Sequence, residues 1–193
     1  AASLLMGRLN PKGFIRAWNN PGQEGFAIID CMMNLSLLFW ASRETGDPRF
    51  AHAARIHADT TLREFIRGNG SVSHIIEFDP ETGARVKEHP GQGYALGTSW
   101  SRGQAWGLYG FTLAYLNTKE EKYLKAAEKI AGYFAGHIRP DGDCVGSCLA
   151  VYNYICENYP NISVNVFLQK APDEYSFLKG FDEIVQIKGY DSY

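Results

Sequence analysis

The sequence predicts an all-α fold built from repeated helix pairs. Two long and mostly apolar segments, 25–42 and 98–116, are each followed by a turn and by an amphipathic segment whose apolar residues recur at helical spacing. The second pair repeats the first, because residues 45–54 align with residues 118–127. An apolar helix of this kind buries its surface only against neighbouring pairs. The pattern therefore predicts either an open helical solenoid or a closed ring of helix pairs.

The composition is that of an ordinary globular protein. The chain has 193 residues, of which 45% are hydrophobic and 21% are charged. A net charge of -2 gives no electrostatic reason to bind nucleic acid or an anionic membrane. No apolar run reaches the roughly 20 residues of a membrane span, and no signal pattern is found, so we expect a cytoplasmic protein. No His or Cys pair lies at metal-ligand spacing from the four cysteines, so we expect reduced thiols and no zinc site. The sequence also gives no sign of another metal or of a cofactor.

The first apolar segment is interrupted by one carboxylate, Asp30, and by one amide, Asn34, which lies a helical turn later. In a helix that is apolar on all sides, a carboxylate is buried and must be paired or held protonated. Such a carboxylate is an active-site candidate. The alternative is that Asp30 only caps the start of the helix.

The first outer helix follows a turn at residues 45–48. Asp47 is its predicted N-cap and Pro48 its first helical residue. The amphipathic pattern continues to Arg67, and residues 68–70 end it.

Residues 71–97 have a different pattern. Two short alternating segments, 72–78 and 84–86, are joined by a turn at residues 79–83, which predicts a hairpin or a long loop. A loop of this length that carries polar residues such as His74 is more often functional than idle.

The second inner helix runs from about Thr98 to Leu116, and the second outer helix runs from Lys119 to about His137. After Asp143 the sequence becomes rich in Tyr, Val and Ile, and it predicts short strands at residues 164–168 and 184–187. We therefore predict a helical domain over residues 1–143. Residues 144–193 form a tail of a different fold.

Several polar and aromatic residues lie at the starts of inner helices and in the long loop between them: Asp30, His74, Gln92, Arg102 and Trp106. In a ring of helix pairs, these positions converge on the mouth of the ring, which is the usual place for a ligand. Histidines outside this set are interpreted as surface or core residues without a role: His52, His57, His89 and His137.

Four segments carry these residues in order: Asn20-Pro21-Gly22-Gln23-Glu24-Gly25 with Ile28-Ile29-Asp30-Cys31-Met32-Met33-Asn34, then Ser73-His74-Ile75, then Gly91-Gln92-Gly93, then Ser99-Trp100-Ser101-Arg102-Gly103-Gln104-Ala105-Trp106. Together they resemble the unsaturated glucuronyl hydrolases of glycoside hydrolase family 88, over roughly residues 15–143. The resemblance implies an (α/α)6 barrel of the six-hairpin glycosidase type. The barrel is incomplete here, because the sequence contains about two helix pairs and part of another.

The resemblance also implies a substrate and a reaction. The substrate is a 4,5-unsaturated uronic acid at the non-reducing end of an oligosaccharide released by a polysaccharide lyase. A carboxylic acid protonates C4, water adds at C5, and the product opens and releases the aglycone, without a metal or cofactor. Asp30 matches the family's general acid and base.

By the same matching, four residues fall on substrate-binding positions: His74, Gln92, Arg102 and Trp106. Arg102 is suited to the sugar carboxylate, since its guanidinium can donate two parallel hydrogen bonds. Trp106 follows one helical turn later and is suited to stack on a sugar ring. Without the resemblance, Arg102 is a helix-start arginine in a surface ion pair and Trp106 is a core indole.

The sequence departs from the family in one respect that leaves alternatives open. The family uses a second aspartate on an earlier inner helix, whereas the only acidic residue before Asp30 here is Glu24. The alternatives are an unsaturated rhamnogalacturonyl hydrolase, a truncated sugar-binding relative without activity, and a helical scaffold. Inner helices without neighbours also leave apolar faces in water, so we expect self-association through these faces.

Overall fold

The computed structural model describes residues 1–133, 140–161 and 164–186. It divides into two compact units, Ala1–Tyr133 and residues 134–193. The first unit ends before the domain boundary at residue 143 that the sequence predicts.

The first unit contains two inner and two outer helices, as the repeat predicts. Its helices are α1 (Ala2–Met6), α2 (Cys31–Thr45), α3 (Pro48–Glu64), α4 (Ser101–Thr118) and α5 (Glu121–Ala131). The inner helix α2 packs against its outer helix α3 and against the second inner helix α4, which packs against α5. The predicted end of the second outer helix at His137 lies outside the described residues.

Five short strands accompany these helices: β1 (Leu9–Asn10), β2 (Phe14–Ile15), β3 (Phe26–Ile28), β4 (Ile75–Phe78) and β5 (Arg85–His89). Strands β1 and β2 form an antiparallel hairpin, and β3, β4 and β5 form an antiparallel sheet in that order. The hairpin predicted within residues 71–97 is therefore confirmed. Its turn is held by the Asp79 carboxylate, which accepts the N–H groups of Glu81 and Thr82.

The first inner helix begins at Cys31, and the prediction that it starts at residue 25 is wrong. Residues 26–28 are instead β3, paired with β4. Gly25 lies so close to β4 that an added Cβ would be 1.9 Å from the Phe78 oxygen, and the Gly25 carbonyl accepts the Phe78 N–H. Apolar periodicity alone does not separate a three-residue buried strand from the first turn of a buried helix.

The start of α3 confirms the predicted cap, because the Asp47 carboxylate accepts the Arg49 N–H and Pro48 is the first helical residue. The helix ends at Glu64, one turn before the predicted end at Arg67. Arg67 has left the helix because its N–H donates to the Ser71 carbonyl as the chain turns back.

Glycines allow α4 to pack closely against its neighbours. A Cβ on Gly110 would lie 2.4 Å from Met32 Cβ of α2, and one on Gly107 would lie 3.3 Å from Ile130 Cδ1 of α5. A Cβ on Gly103 would lie 3.2 Å from Ile29 Cγ2. Because these positions have no side chains, α4 packs close to α2 and α5. Its first residues therefore lie beside the end of β3.

The second unit contains the helix α6 (Gly142–Asn158) and a parallel pair of strands, β6 (Val166–Leu168) and β7 (Ile184–Gln186). The strands confirm the tail predictions as far as residue 186, whereas Ile187 lies outside the described residues. The helix α6 is an addition to the short strands that the sequence predicts for the tail. Its start is capped by Asp141, and the buried residues of α6 recur at helical spacing: Cys144, Val145, Cys148 and Leu149.

Within the described residues, no helix combines the length and the apolar character that crossing a membrane requires. All four cysteines are reduced thiols.

Candidate active site

The three-stranded sheet brings distant parts of the sequence together at one end. Its register pairs Ile28 with Ile75, and the last residue of β5 lies in the same row. Asp30 lies two residues beyond Ile28, and His74 comes directly before Ile75. Gln92 follows the end of β5. The sheet therefore places three of the five predicted site residues beyond one end of its strands, next to backbone that the strand hydrogen bonds hold in place.

Asp30 and His74 face each other at this end of the sheet. The distance from His74 Nε2 to Asp30 Oδ2 is 3.5 Å, and the side chains are 5% and 32% exposed, respectively. Oδ2 itself is shielded from solvent and accepts no hydrogen bond from any described residue. Burying a carboxylate oxygen without a hydrogen-bond donor costs free energy. A closer approach of His74 Nε2, the nitrogen that faces Oδ2, would remove this cost.

The prediction that Asp30 lies inside a buried helix is wrong. Asp30 occupies the N-cap position of α2, one residue before the helix, and about a third of its side chain is exposed. The simple capping alternative also fails, because its side chain accepts no hydrogen bond from the first turn of the helix. A carboxylate at a helix N-terminus that does not cap the helix is available for other chemistry.

Gln92 contributes to the site through its backbone. Its N–H donates to His74 Nδ1 at 2.9 Å. The preceding residue, Gly91, has a φ of +57°, and an added Cβ would lie 2.1 Å from His74 Nδ1. Only glycine fits between the loop and the imidazole at this point. The loop after β5 therefore fixes the orientation of the His74 ring.

Trp100 joins His74 to Arg102. The rings of His74 and Trp100 lie 4.3 Å apart, and the Arg102 guanidinium carbon lies 4.8 Å above the Trp100 ring. This is a cation–π arrangement that holds an exposed guanidinium at the edge of the site. The surface ion pair considered from the sequence is replaced by this contact.

Trp106 is half-buried and packs against the core of the first unit, where it makes an edge contact with Tyr109 at 6.4 Å. Among the described contacts, the other four predicted residues are linked through His74 and Trp100, whereas Trp106 is linked to Tyr109 on its own helix. A substrate-binding role for Trp106 therefore stays a prediction, which rests on its helical spacing from Arg102.

Sequence reasoning missed two residues of this arrangement, Trp100 and Gly91. Trp100 lies within a quoted motif, but its stacking on His74 depends on how α4 begins. Gly91 had a usable signal, because a glycine directly before a functional loop residue often marks a close approach of the backbone.

Gln104 fixes the start of α4 against the loop that leads to His74. It is fully buried, its side-chain oxygen accepts the Val72 N–H at 2.9 Å, and its nitrogen donates to the carbonyls of Gly70 and Ile130 at 2.9 and 3.1 Å. One amide therefore connects three segments. Its role is to hold the site's supporting backbone in place.

Arg67 also holds the long loop in place. Its guanidinium forms a partly buried ion pair with Glu88 of β5 and donates to the Thr98 carbonyl at 3.1 Å. It thereby connects the end of the first outer helix to β5 and to the segment before α4.

Cys31 lies beside Asp30 but is not a nucleophile. Burial raises the pKa of its thiol to about 12, and the neighbouring Arg8 charge only partly opposes this. A thiol with such a pKa is protonated at neutral pH and is unreactive. The described part of the chain also contains no group of three or more His, Cys, Asp or Glu residues placed to hold a metal ion.

Comparison with known proteins gives the same result as the motifs. The unsaturated glucuronyl hydrolase of Bacillus sp. (strain GL1) is 40% identical over 146 residues, which are 74% of this chain and 39% of that protein. The unsaturated chondroitin disaccharide hydrolase of Streptococcus pyogenes serotype M1 is 41% identical over 144 residues, which are 73% of this chain and 36% of that protein. The chain belongs to the unsaturated glucuronyl hydrolase family. No protein-family model matches the sequence.

Solved structures confirm the (α/α)6 barrel fold class in incomplete form. The unsaturated glucuronyl hydrolase of Streptococcus agalactiae has a TM-score of 0.70 at 31% identity, over 84% of this chain and 46% of that one. A UGL structure with dGlcA-Glc-Rha-Glc has a TM-score of 0.65 at 40% identity, over 67% of this chain and 36% of that one. This family member therefore spans 39% or less of the curated relatives named above.

Proposed function

We propose that this family member hydrolyses unsaturated uronyl oligosaccharides, with Asp30 as general acid and base. The observation that carries the proposal is the Asp30 carboxyl group, which is partly exposed at the end of β3 and faces His74 at 3.5 Å. Relatives that are 40% and 41% identical over 74% and 73% of this chain are an unsaturated glucuronyl hydrolase and an unsaturated chondroitin disaccharide hydrolase. Oligosaccharides of this kind arise in polysaccharide degradation.

The proposed reaction is the hydration of an enol ether. The Asp30 carboxylic acid gives its proton to C4, so the C4–C5 double bond becomes a C4–H bond and a cation at C5 shared with the ring oxygen. Water then adds to C5 and returns a proton to Asp30. The resulting hemiketal opens to a ketone at C5, and the hemiacetal left at C1 collapses to an aldehyde and the free alcohol of the aglycone. One water molecule is consumed, and Asp30 ends in its starting state.

Arg102 and the aromatic residues of α4 are proposed to bind the substrate. Arg102 is exposed and held above Trp100, so its N–H groups are available to the sugar carboxylate. Trp106 is proposed to stack on a sugar ring, and Gln92, in the loop beside His74, is proposed to bind a hydroxyl group through its side chain. His74 remains predicted, by the family resemblance, to lie at a substrate-binding position.

A second candidate is a sugar-binding protein without activity. It is the alternative that the sequence left open, and it is supported by Glu24, the acidic residue within residues 1–29, which is exposed and whose carboxylate accepts the Gly22 N–H within its own turn. This candidate keeps Arg102 and binds the same anionic sugars, but it does not turn them over.

Self-association is proposed through the apolar surface of the inner helices. Trp40 of α2 and Tyr109 and Leu116 of α4 are large apolar residues that are exposed. Sedimentation velocity over a concentration series tests this, and a mass that stays at one chain would contradict it. A cytoplasmic location remains a prediction from the sequence.

The deciding experiment follows the loss of ultraviolet absorbance of the conjugated double bond in an unsaturated chondroitin or hyaluronan disaccharide. We expect turnover by the native chain and none by Asp30→Asn, whereas the exposed control Asp182→Asn in the second unit should retain it. Binding that depends on Arg102 but is accompanied by no turnover in the native chain would favour the second candidate.

A further inference from the structure

We propose that His74 is a positioning residue for Asp30. It acts on Oδ2 and leaves Oδ1 as the oxygen that exchanges the proton with the substrate. This inference rests on the proposed function, because it assigns roles within the same site. It replaces the predicted sugar contact of His74 with a contact inside the protein.

The hydrogen bond from Gln92 determines which nitrogen of the His74 imidazole carries the proton. His74 Nδ1 accepts the Gln92 N–H at 2.9 Å, and a ring nitrogen that accepts a hydrogen bond carries no proton. The neutral ring therefore carries its proton on Nε2. That nitrogen is the one that lies 3.5 Å from Asp30 Oδ2, which accepts no hydrogen bond from the described residues, so a closer approach of the two side chains would pair the Nε2–H with the shielded oxygen.

The His74 ring is confined on two sides, by Gly91 and by Trp100. Gly91 has no room for a Cβ beside Nδ1, the Trp100 ring lies 4.3 Å from the imidazole, and the His74 side chain is 5% exposed. A ring confined in this way presents almost no surface to a sugar. Among the described residues, the Asp30 carboxylate is the acceptor that faces its remaining donor, Nε2.

The two oxygens of the Asp30 carboxylate differ in their exposure to solvent. Oδ2 is shielded from solvent, whereas the side chain as a whole is 32% exposed, so the accessible oxygen is Oδ1. In the protonation step, the Oδ1–H bond breaks as the C4–H bond forms. In the hydration step, the proton lost by the attacking water returns to Oδ1. His74 gains and loses no proton in either step.

The first test is a spectroscopic one that needs no turnover. Two-bond ¹H–¹⁵N correlation spectra of the labelled chain above pH 8 should show His74 with an unprotonated Nδ1 and a protonated Nε2. Gly91→Ala should abolish this pattern. The control Gly97→Ala should keep it, because Gly97 also has a positive φ of +80° but open space around its Cβ position. A proton on Nδ1 of the native chain, or an unchanged pattern in Gly91→Ala, would overturn the proposal.

The second test separates positioning from sugar binding by kinetics with the unsaturated disaccharide. His74→Phe keeps a ring against Trp100 but removes the donor, and it should lower kcat by roughly 100-fold while KM stays within about twofold. His74→Gln, whose amide reaches the Nε2 position, should restore part of kcat. A raised KM at unchanged kcat would overturn the inference. Absence of turnover in the native chain would refute the proposed function instead, and the spectra would still decide the geometry.

Discussion

Acid sensitivity of the first unit should arise largely from His57. This histidine of α3 is completely buried, its Nδ1 accepts the Ile15 N–H at 3.0 Å, and its Nε2 has no hydrogen-bond partner among the described residues. Burial lowers the pKa of His57 from 6.5 to about 4. The interpretation of His57 as a core histidine without a catalytic role agrees with this burial. Its protonation state nevertheless matters for stability.

The pH dependence of the free energy of unfolding follows from the protonation of His57 in the folded and the unfolded chain. Between pH 6.5 and about 4, the unfolded chain binds a proton at His57 and the folded chain does not. The stabilisation is therefore complete above pH 6.5 and is lost as the pH falls through this window. At about 1.36 kcal/mol per pH unit the full loss is about 3 kcal/mol, of which about 2 kcal/mol falls between pH 7 and pH 5.

The assay is urea unfolding followed by tryptophan fluorescence, which reports on the first unit because all four tryptophans lie in it. His57→Asn places an amide oxygen near Nδ1 to accept the Ile15 N–H, and it does not titrate. Between pH 7 and pH 5 the native chain should lose about 2 kcal/mol more of its free energy of unfolding than His57→Asn. His52→Asn, at an exposed position of the same helix, should behave like the native chain. Equal pH dependence of the native chain and His57→Asn would refute the reasoning.

Three further outcomes are expected. Gly110→Ala should lose about 1–3 kcal/mol of unfolding free energy, since its Cβ would lie 2.4 Å from Met32 Cβ, whereas Gly146→Ala, with open space on α6, should not destabilise the chain. Urea unfolding followed by far-ultraviolet circular dichroism, which reports on the helices of both units, tests both substitutions, and equal losses of unfolding free energy would contradict the packing argument. Gln104→Leu should cost about 3 kcal/mol in the same assay, because it leaves buried backbone groups without partners. Arg102→Lys should raise KM for the unsaturated disaccharide about tenfold with little change in kcat, because an ammonium group cannot donate the paired hydrogen bonds of a guanidinium; an unchanged KM would exclude Arg102 from carboxylate binding.

The helix pairs could be predicted from the sequence because they depend on local signals. Asp47 and Pro48 mark the start of α3 by capping chemistry, and both inner helices have long apolar patterns. The strand β3 could not be predicted in this way. Its three residues are strand only because β4, far along the chain, supplies the hydrogen bonds.

The members of the candidate site could be taken from the motifs, but their contacts could not. The approach of His74 to Asp30 depends on the register between β3 and β4, and the stacking on Trp100 depends on where α4 begins. The tail shows the opposite case. The helix α6 has a local signal in the Asp141 cap and the apolar spacing that follows it, but the tyrosine-rich composition favoured strands.

The glycines on the packed side of α4, Gly103, Gly107 and Gly110, determine which positions of this helix can be substituted. Gly110 lies against Met32 with no room for a Cβ, and a Cβ on Gly107 would be tight against Ile130, whereas Arg102 and Tyr109 are on the exposed side. Mutations that alter ligand preference can therefore accumulate on one side of α4, while the other side tolerates almost none. A library that seeks a new sugar specificity in this scaffold should vary the exposed positions and leave the glycines unchanged.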